Sequence, residues 1–126
     1  MIEKVEVAEE ALKEIITEEK RGRSDNLELA AREVPHPHYT KIHISIKNVS
    51  DEKIYISPLC FSILTKDVER IESSDKTFAD KERLTGKELL PNEENKGILI
   101  FDIKELVSRL EYKDAFGNFI SIDFSL

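Results

Sequence analysis

The chain of 126 residues reads as a mainly β protein, an antiparallel β-sandwich of six or seven short strands behind an N-terminal amphipathic helix. Three observations predict this. Apolar and polar residues alternate in "KIHISIKN" (41–48) and "FISIDFSL" (119–126), the period of a strand with one wet side. Turn-forming clusters such as "NVSDEK" and "KDAFGN" separate the apolar runs. After residue 26 there is no alternation of strands with helices of the kind that builds parallel sheets. One domain, 1–126, is expected, with 1–22 as a helical extension and 27–126 as the sandwich.

Helical spacing sets the first element. Val5, Ala8, Leu12, Ile15 and Ile16 recur on one arc, while Glu6, Glu9, Glu10, Lys13 and Glu14 fill the other. Glu9 and Lys13 are ordered for a favourable i,i+4 pair, and "RGRSDN" supplies turn formers where the period stops, so the helix is expected to end near Arg21 and Gly22. Val5 and Val7 also alternate with glutamates, which leaves a short strand over 2–7 as the competing reading. The Leu12, Ile15 and Ile16 stripe would either cover an end or edge of the sandwich or dock on another protein or a second copy.

From residue 27 the period is two. Ile42, Ile44 and Ile46 share one face of a strand and Lys41, His43, Ser45 and Lys47 the other. "IYISPLCFSILT" is apolar on both faces, and Pro58, which cannot donate to a ladder, marks an edge, bulge or bend within it. Residues 72–88 read as a long polar loop with a short strand inside. In "LLPNEENKGILIFDI" (89–103), Pro91 and Asn92 suit the central positions of a tight turn, Asn tolerating the positive φ of the second. Gly97 then permits a close backbone approach where a central strand begins, carrying Phe101 into the core. "LEYKDAFGNFISIDFSL" closes the chain as a hairpin that turns Ile120, Ile122, Phe124 and Leu126 one way.

Composition excludes several functions. A net charge of -7 and a pI near 5.1 oppose attraction to phosphate backbones, and no basic cluster is longer than "KRGR" (20–23), so nucleic acid is not an expected partner. A lone cysteine, Cys60, forbids an intramolecular disulfide and any site needing two thiolates. No apolar run approaches the ~20 residues of a membrane span. The acidic start "MIEKVEVAEE" is unlike a secretory signal, so the chain as written reads as cytoplasmic, or as extracytoplasmic where a native signal or lipid anchor precedes it. With 36% charged residues the composition is compatible with growth at high temperature.

The order of "IHISIKNVSDEKIYISPLCFSILTKD", "LLPNEENKGILIFDI" and "LEYKDAFGNFISIDF" resembles an immunoglobulin-like domain of unknown function found in bacterial and archaeal cell-surface proteins and lipoproteins. The matching positions are Asn48, Ser50 to Glu52, Leu89, Pro91, Gly97, Leu99, Phe101, Tyr112 and Asp114, within residues 39–126. Asn92 departs from the family's usual glycine, and the N-terminal helix has no expected counterpart. The resemblance implies a seven-stranded immunoglobulin-like sandwich with an association or accessory role outside the membrane. It transfers no catalytic residue.

Candidate chemistry is sparse. His36, His38 and His43, in "HPHYTKIH", are the residues that could ligate a transition metal, with Cys60 completing a set. The bland alternative leaves the histidines solvated and Cys60 as a small core hydrophobe; if Leu59, Phe61 and Ile63 face inward, Cys60 points away unless Pro58 shifts the register. Asp75, Asp80, Glu82, Glu88, Glu93 and Glu94 lie mostly in loops without the spacing of a calcium site. Tyr39, Tyr55 and Tyr112 are scattered and read as sheet packing. No nucleophile elbow, phosphate loop or dinucleotide fingerprint occurs, and no cofactor is implied. The sequence therefore points to a noncatalytic protein-interaction or structural accessory module. A metal- or small-ligand-binding protein built on the His36, His38 and His43 region is the second reading.

Overall fold

The computed structural model describes residues 19–66, 69–103 and 107–124. Among them lie ten strands: β1 (Lys20–Arg23), β2 (Leu27–Pro35), β3 (Thr40–Asn48), β4 (Ile54–Ile56), β5 (Phe61–Leu64), β6 (Arg70–Glu72), β7 (Lys87–Leu89), β8 (Glu94–Phe101), β9 (Arg109–Lys113) and β10 (Phe119–Asp123). Two four-stranded antiparallel sheets, ordered β1-β2-β3-β8 and β10-β9-β5-β6, are joined by a small β4-β7 ribbon. The alternation in β3 is realised directly: Ile42, Ile44 and Ile46 are buried, and Lys41, His43 and Ser45 point outward. Ile42, Ile46, Leu99 and Phe101 of one sheet and Phe61, Ile63, Leu110, Tyr112 and Ile122 of the other form a single buried cluster. Each such side chain contributes about 1.5–3 kcal/mol on leaving water, so this shared interior dominates the packing energy.

The strand count exceeds the expected six or seven for a local reason. "IYISPLCFSILT" is two strands in different sheets, with a 3₁₀ turn at Pro58–Cys60 between them; Pro58 starts that turn, and the Ser57 hydroxyl accepts from Leu59 N. Leu59 is thereby thrown outward, 76% exposed, while Phe61 and Ile63 still face the core. A bend, not a bulge, resolves the register of Cys60. The short strands β1, β6 and β7 carry little alternation of their own and are held by their partners.

Two expectations are corrected. The helix over 5–16, with Leu12, Ile15 and Ile16, lies outside the described residues, but its expected end at Arg21 and Gly22 is the middle of β1, paired with Leu29 and Ala30 of β2. Gly22 is not a helix stop: a Cβ there would come within 2.8 Å of Ile120 and 2.9 Å of Ile122, so its bare backbone lets β1 of one sheet pass over β10 of the other. The strand expected to be central, β8, is the terminal strand of its sheet. Its outer edge is covered instead, since Ile98 N donates to Glu82 O and Leu84 N donates to Ile98 O, both at 2.9 Å. Gly97 makes that cover possible, because a Cβ there would lie 2.3 Å from the Leu84 Cα. Covering an edge in this way removes a template for unwanted strand pairing.

Strand direction defines two ends of the molecule. β2 begins and β3 ends at Leu27 and Asn48, which pair, whereas Pro35 and Thr40 pair at the other end beside the loop 36–39. The turns at 24–26, 49–53 and 90–93 gather at the first end, and the hairpin turn 114–118 joins them through Asn26 Nδ2, which donates to Asn118 Oδ1 at 2.9 Å. β1 runs toward this loop end and β10 runs away from it.

Candidate functional site

The loop end is fixed by side chains that satisfy backbone groups. Asn48, fully buried, donates from Nδ2 to the Leu89 carbonyl at 2.9 Å and to the Glu52 carbonyl at 2.6 Å. Its Oδ1 accepts from Ser50 N at 2.9 Å and from the Ser50 hydroxyl at 2.7 Å. Asp114 does the same for the hairpin: its carboxylate accepts from Phe116 N, Asn118 N, Asn118 Nδ2 and the Tyr112 hydroxyl, all within 2.8–3.0 Å. Burial alone would raise the pKa of Asp114, but the donors from Asn118, Tyr112 and Phe116 outweigh it and hold the carboxyl below its ordinary range. The Leu90–Glu93 turn has the expected geometry, with Glu93 N donating to Leu90 O at 2.9 Å and Asn92 at φ 71°. The motif positions Asn48, Ser50, Tyr112 and Asp114 thus have structural work to do.

On this scaffold sits a cleft of about 680 Å³ between the 50–55 segment, Glu88 and the hairpin tip. Tyr55 and Phe116 flank it, 54% and 82% exposed. The Tyr55 ring lies against Gly86, just before β7, where a Cβ would meet the Tyr55 hydroxyl at 2.6 Å. The polar rim consists of Asp51, Glu52, Glu88 and Lys53, all exposed. None of these four makes an ion pair among the described residues, in contrast to Asp80 with Lys41 at 3.1 Å, Glu93 with Lys87 at 3.3 Å and Asp123 with Arg109 at 2.9 Å.

The histidines and Cys60 do not meet. His36 and His38 occupy the loop beyond β2, where the His36 ring stacks on Tyr39 at 4.6 Å and His36 N donates to Tyr39 O at 2.8 Å. His43 lies mid-strand on the outer sheet face, between Arg32 and Ile98 in register. Burial, then Arg32, lowers its pKa. Cys60 is at the opposite end from His36 and His38, beside Tyr112 and Asp114, and the nine residues of β3 between those ends span about 26 Å at the ordinary strand rise. Burial raises the Cys60 pKa, which keeps the thiol protonated and a poor nucleophile. Among the described residues no group of three or more His, Cys, Asp or Glu side chains is placed to hold a metal ion. Two of the six acidic residues cap a turn, Asp80 accepting from Glu82 N and Glu93 from Leu90 N, and Glu94, in β8, accepts from the Ser45 hydroxyl.

The tyrosines divide. Tyr112 is fully buried, edge-on to Phe61 at 5.1 Å, as sheet packing requires, while Tyr55, on β4, rests against Gly86 with about half its surface exposed. Sequence reasoning missed Tyr55 and Phe116 as exposed groups. The signals were present: Phe116 falls between Asp114 and Gly117 at a hairpin tip, where no sheet can cover it, and Tyr55 is out of phase with the buried Ile54 and Ile56.

Residues 16–119 match the family described as a domain of unknown function, DUF4352. The chain belongs to that family. Among solved structures, it is similar to the yjhA protein from Bacillus subtilis, with 14% identity, 73% of this chain and 76% of that one covered, and a TM-score of 0.61. It is also similar to MPT63, a secreted protein from Mycobacterium tuberculosis, with 11% identity, 81% and 88% covered, and a TM-score of 0.55. At these identities the likeness is one of fold, an immunoglobulin-like β-sandwich. No curated protein sequence matches the chain significantly. Among the described residues no helix is long and apolar enough to cross a membrane.

Proposed function

We propose that this family member is a noncatalytic accessory domain, folded as one unit, that engages another macromolecule through its loop end. The observation that carries this reading is the pair Tyr55 on β4 and Phe116 at the hairpin tip, two exposed aromatic rings beside turns whose backbones are tied down by Asn48 and Asp114. Rigid aromatic side chains on fixed loops lose little conformational entropy on binding and bury large areas, which is why such groups dominate binding hot spots. A photo-cross-linking residue at position 116 or 55 should trap a discrete partner in the cells that make the protein. Adducts from position 38 at the opposite end, with none from 55 or 116, would overturn the assignment.

A place outside the cytoplasmic membrane is part of the proposal, supported by the likeness to a secreted protein of the same fold. Digestion of the domain by protease added to intact cells is the expected result, and full protection until lysis the contrary one. The partner is expected to be another protein; a second copy would instead show as a doubled solution mass that Phe116→Ala abolishes.

A further inference from the structure

Resting on the loop end as the binding end, we infer that its cleft takes a basic peptide segment, with a Lys or Arg side chain laid on the Phe116 or Tyr55 ring and its charge met by Asp51, Glu52 and Glu88. Charge decides between partner chemistries. Three carboxylates face one ammonium, Lys53, around the two rings, and none has an internal ion pair among the described residues. An anionic partner would meet like charge, in a chain already at -7. A purely apolar one would desolvate these carboxylates without replacing their hydration. A cation on an aromatic face gains from the ring quadrupole and from the nearby carboxylates together, and a guanidinium adds planar stacking and paired hydrogen bonds. The rings stand ready: Tyr55 lies over Gly86 with half its surface free, and Phe116 projects from a hairpin tip whose N–H groups Asp114 already holds.

The test titrates the full chain with tetra-arginine amide, tetraglutamate amide and a neutral oligosaccharide, cellohexaose, at about 0.15 M salt, reading backbone amide shifts; at that ionic strength diffuse surface attraction is screened beyond about 8 Å. Tetra-arginine should move the amides of residues 51–55, 86–88 and 115–118. Its affinity should fall about fivefold or more both in Tyr55→Ala/Phe116→Ala and in Glu52→Gln/Glu88→Gln, and hold in Phe78→Ala, which removes an exposed ring elsewhere. No localised shifts, or shifts spread over the acidic surface and unchanged in both double variants, would overturn the inference. If cellohexaose or tetraglutamate moves those amides and tetra-arginine does not, the basic partner is wrong while the loop end remains the binding end.

Discussion

At the loop end, Asn48 and Asp114 take up backbone donors and acceptors of the turns, and among the described residues Asp51, Glu52, Lys53 and Glu88 are left without an ion pair. At the opposite end the projecting groups satisfy one another. His36 stacks on Tyr39, and Lys76 reaches Asp102 at 2.8 Å with its ammonium 5.8 Å from the Tyr39 ring centre. The difference teaches that residue type does not decide which groups are available. Histidines made one end look chemical, yet the other end, with none, keeps its aromatic and acidic groups unspent.

The core does not share this asymmetry. Phe101→Ala, near the His36 loop, should cost about 3–5 kcal/mol and Leu27→Ala, at the loop end, about 2–5 kcal/mol, because both side chains are fully buried. Denaturant midpoints that fell for one and not the other would break the symmetry. Asn48→Ala comes next, at about 2–4 kcal/mol, since each buried polar group left without a partner costs roughly 1–3 kcal/mol. Amide exchange at Ser50 and through the 90–93 turn should quicken with it, and a near-native midpoint would refute the anchoring role.

Acid and base should separate the two ends. Asp114 titrates below its ordinary 3.8 in the folded state, so its contribution is present above pH 3.8 and is lost as pH falls through the lower folded value. Protection of the 114–118 amides, corrected for intrinsic exchange, should fall in that acid range and lose this pH dependence in Asp114→Asn. Glu33 is the reverse case: buried and accepting from Val107 N at 3.1 Å, its carboxyl is raised above the ordinary 4.5 by burial. Its stability contribution is full below 4.5 and lost as pH rises through the folded value. Glu33→Gln keeps an acceptor for Val107 and should raise stability at neutral pH without changing it in acid; a loss at neutral pH would contradict the sign. The smallest effect is expected at the other candidate site. His36→Ala/His38→Ala should cost less than about 1 kcal/mol, the scale of an exposed ring contact, with no unfolding shift on adding zinc. A zinc-dependent rise in the parent chain that the double variant loses would restore the metal reading.

Most of the β3, β8 and β9–β10 plan was legible because β3 and β10 alternate strictly, β8 carries a run of apolar residues, and the turns carry residues with one physical use, such as Asn92 and Asp114. β1, β6 and β7 were not, since three- and four-residue strands borrow their conformation from a neighbour. Gly97 was read correctly as a point of close approach, yet sequence could not say that the approaching chain is Leu84, thirteen residues earlier, or that β8 therefore sits at an edge. Gly22 carried the opposite lesson, a turn signal locally and a crossing point globally. The candidate site was hidden for the same reason: Tyr55 and Phe116 are sixty-one positions apart and share a cleft only through the packing of two sheets.

The opposed headings of β1 and β10 give the molecule a front and a back. The backbone enters β1 heading toward the aromatic rim and leaves β10 heading away from it, so both strands meet the rim only through the turns that follow Arg23 and precede Phe119.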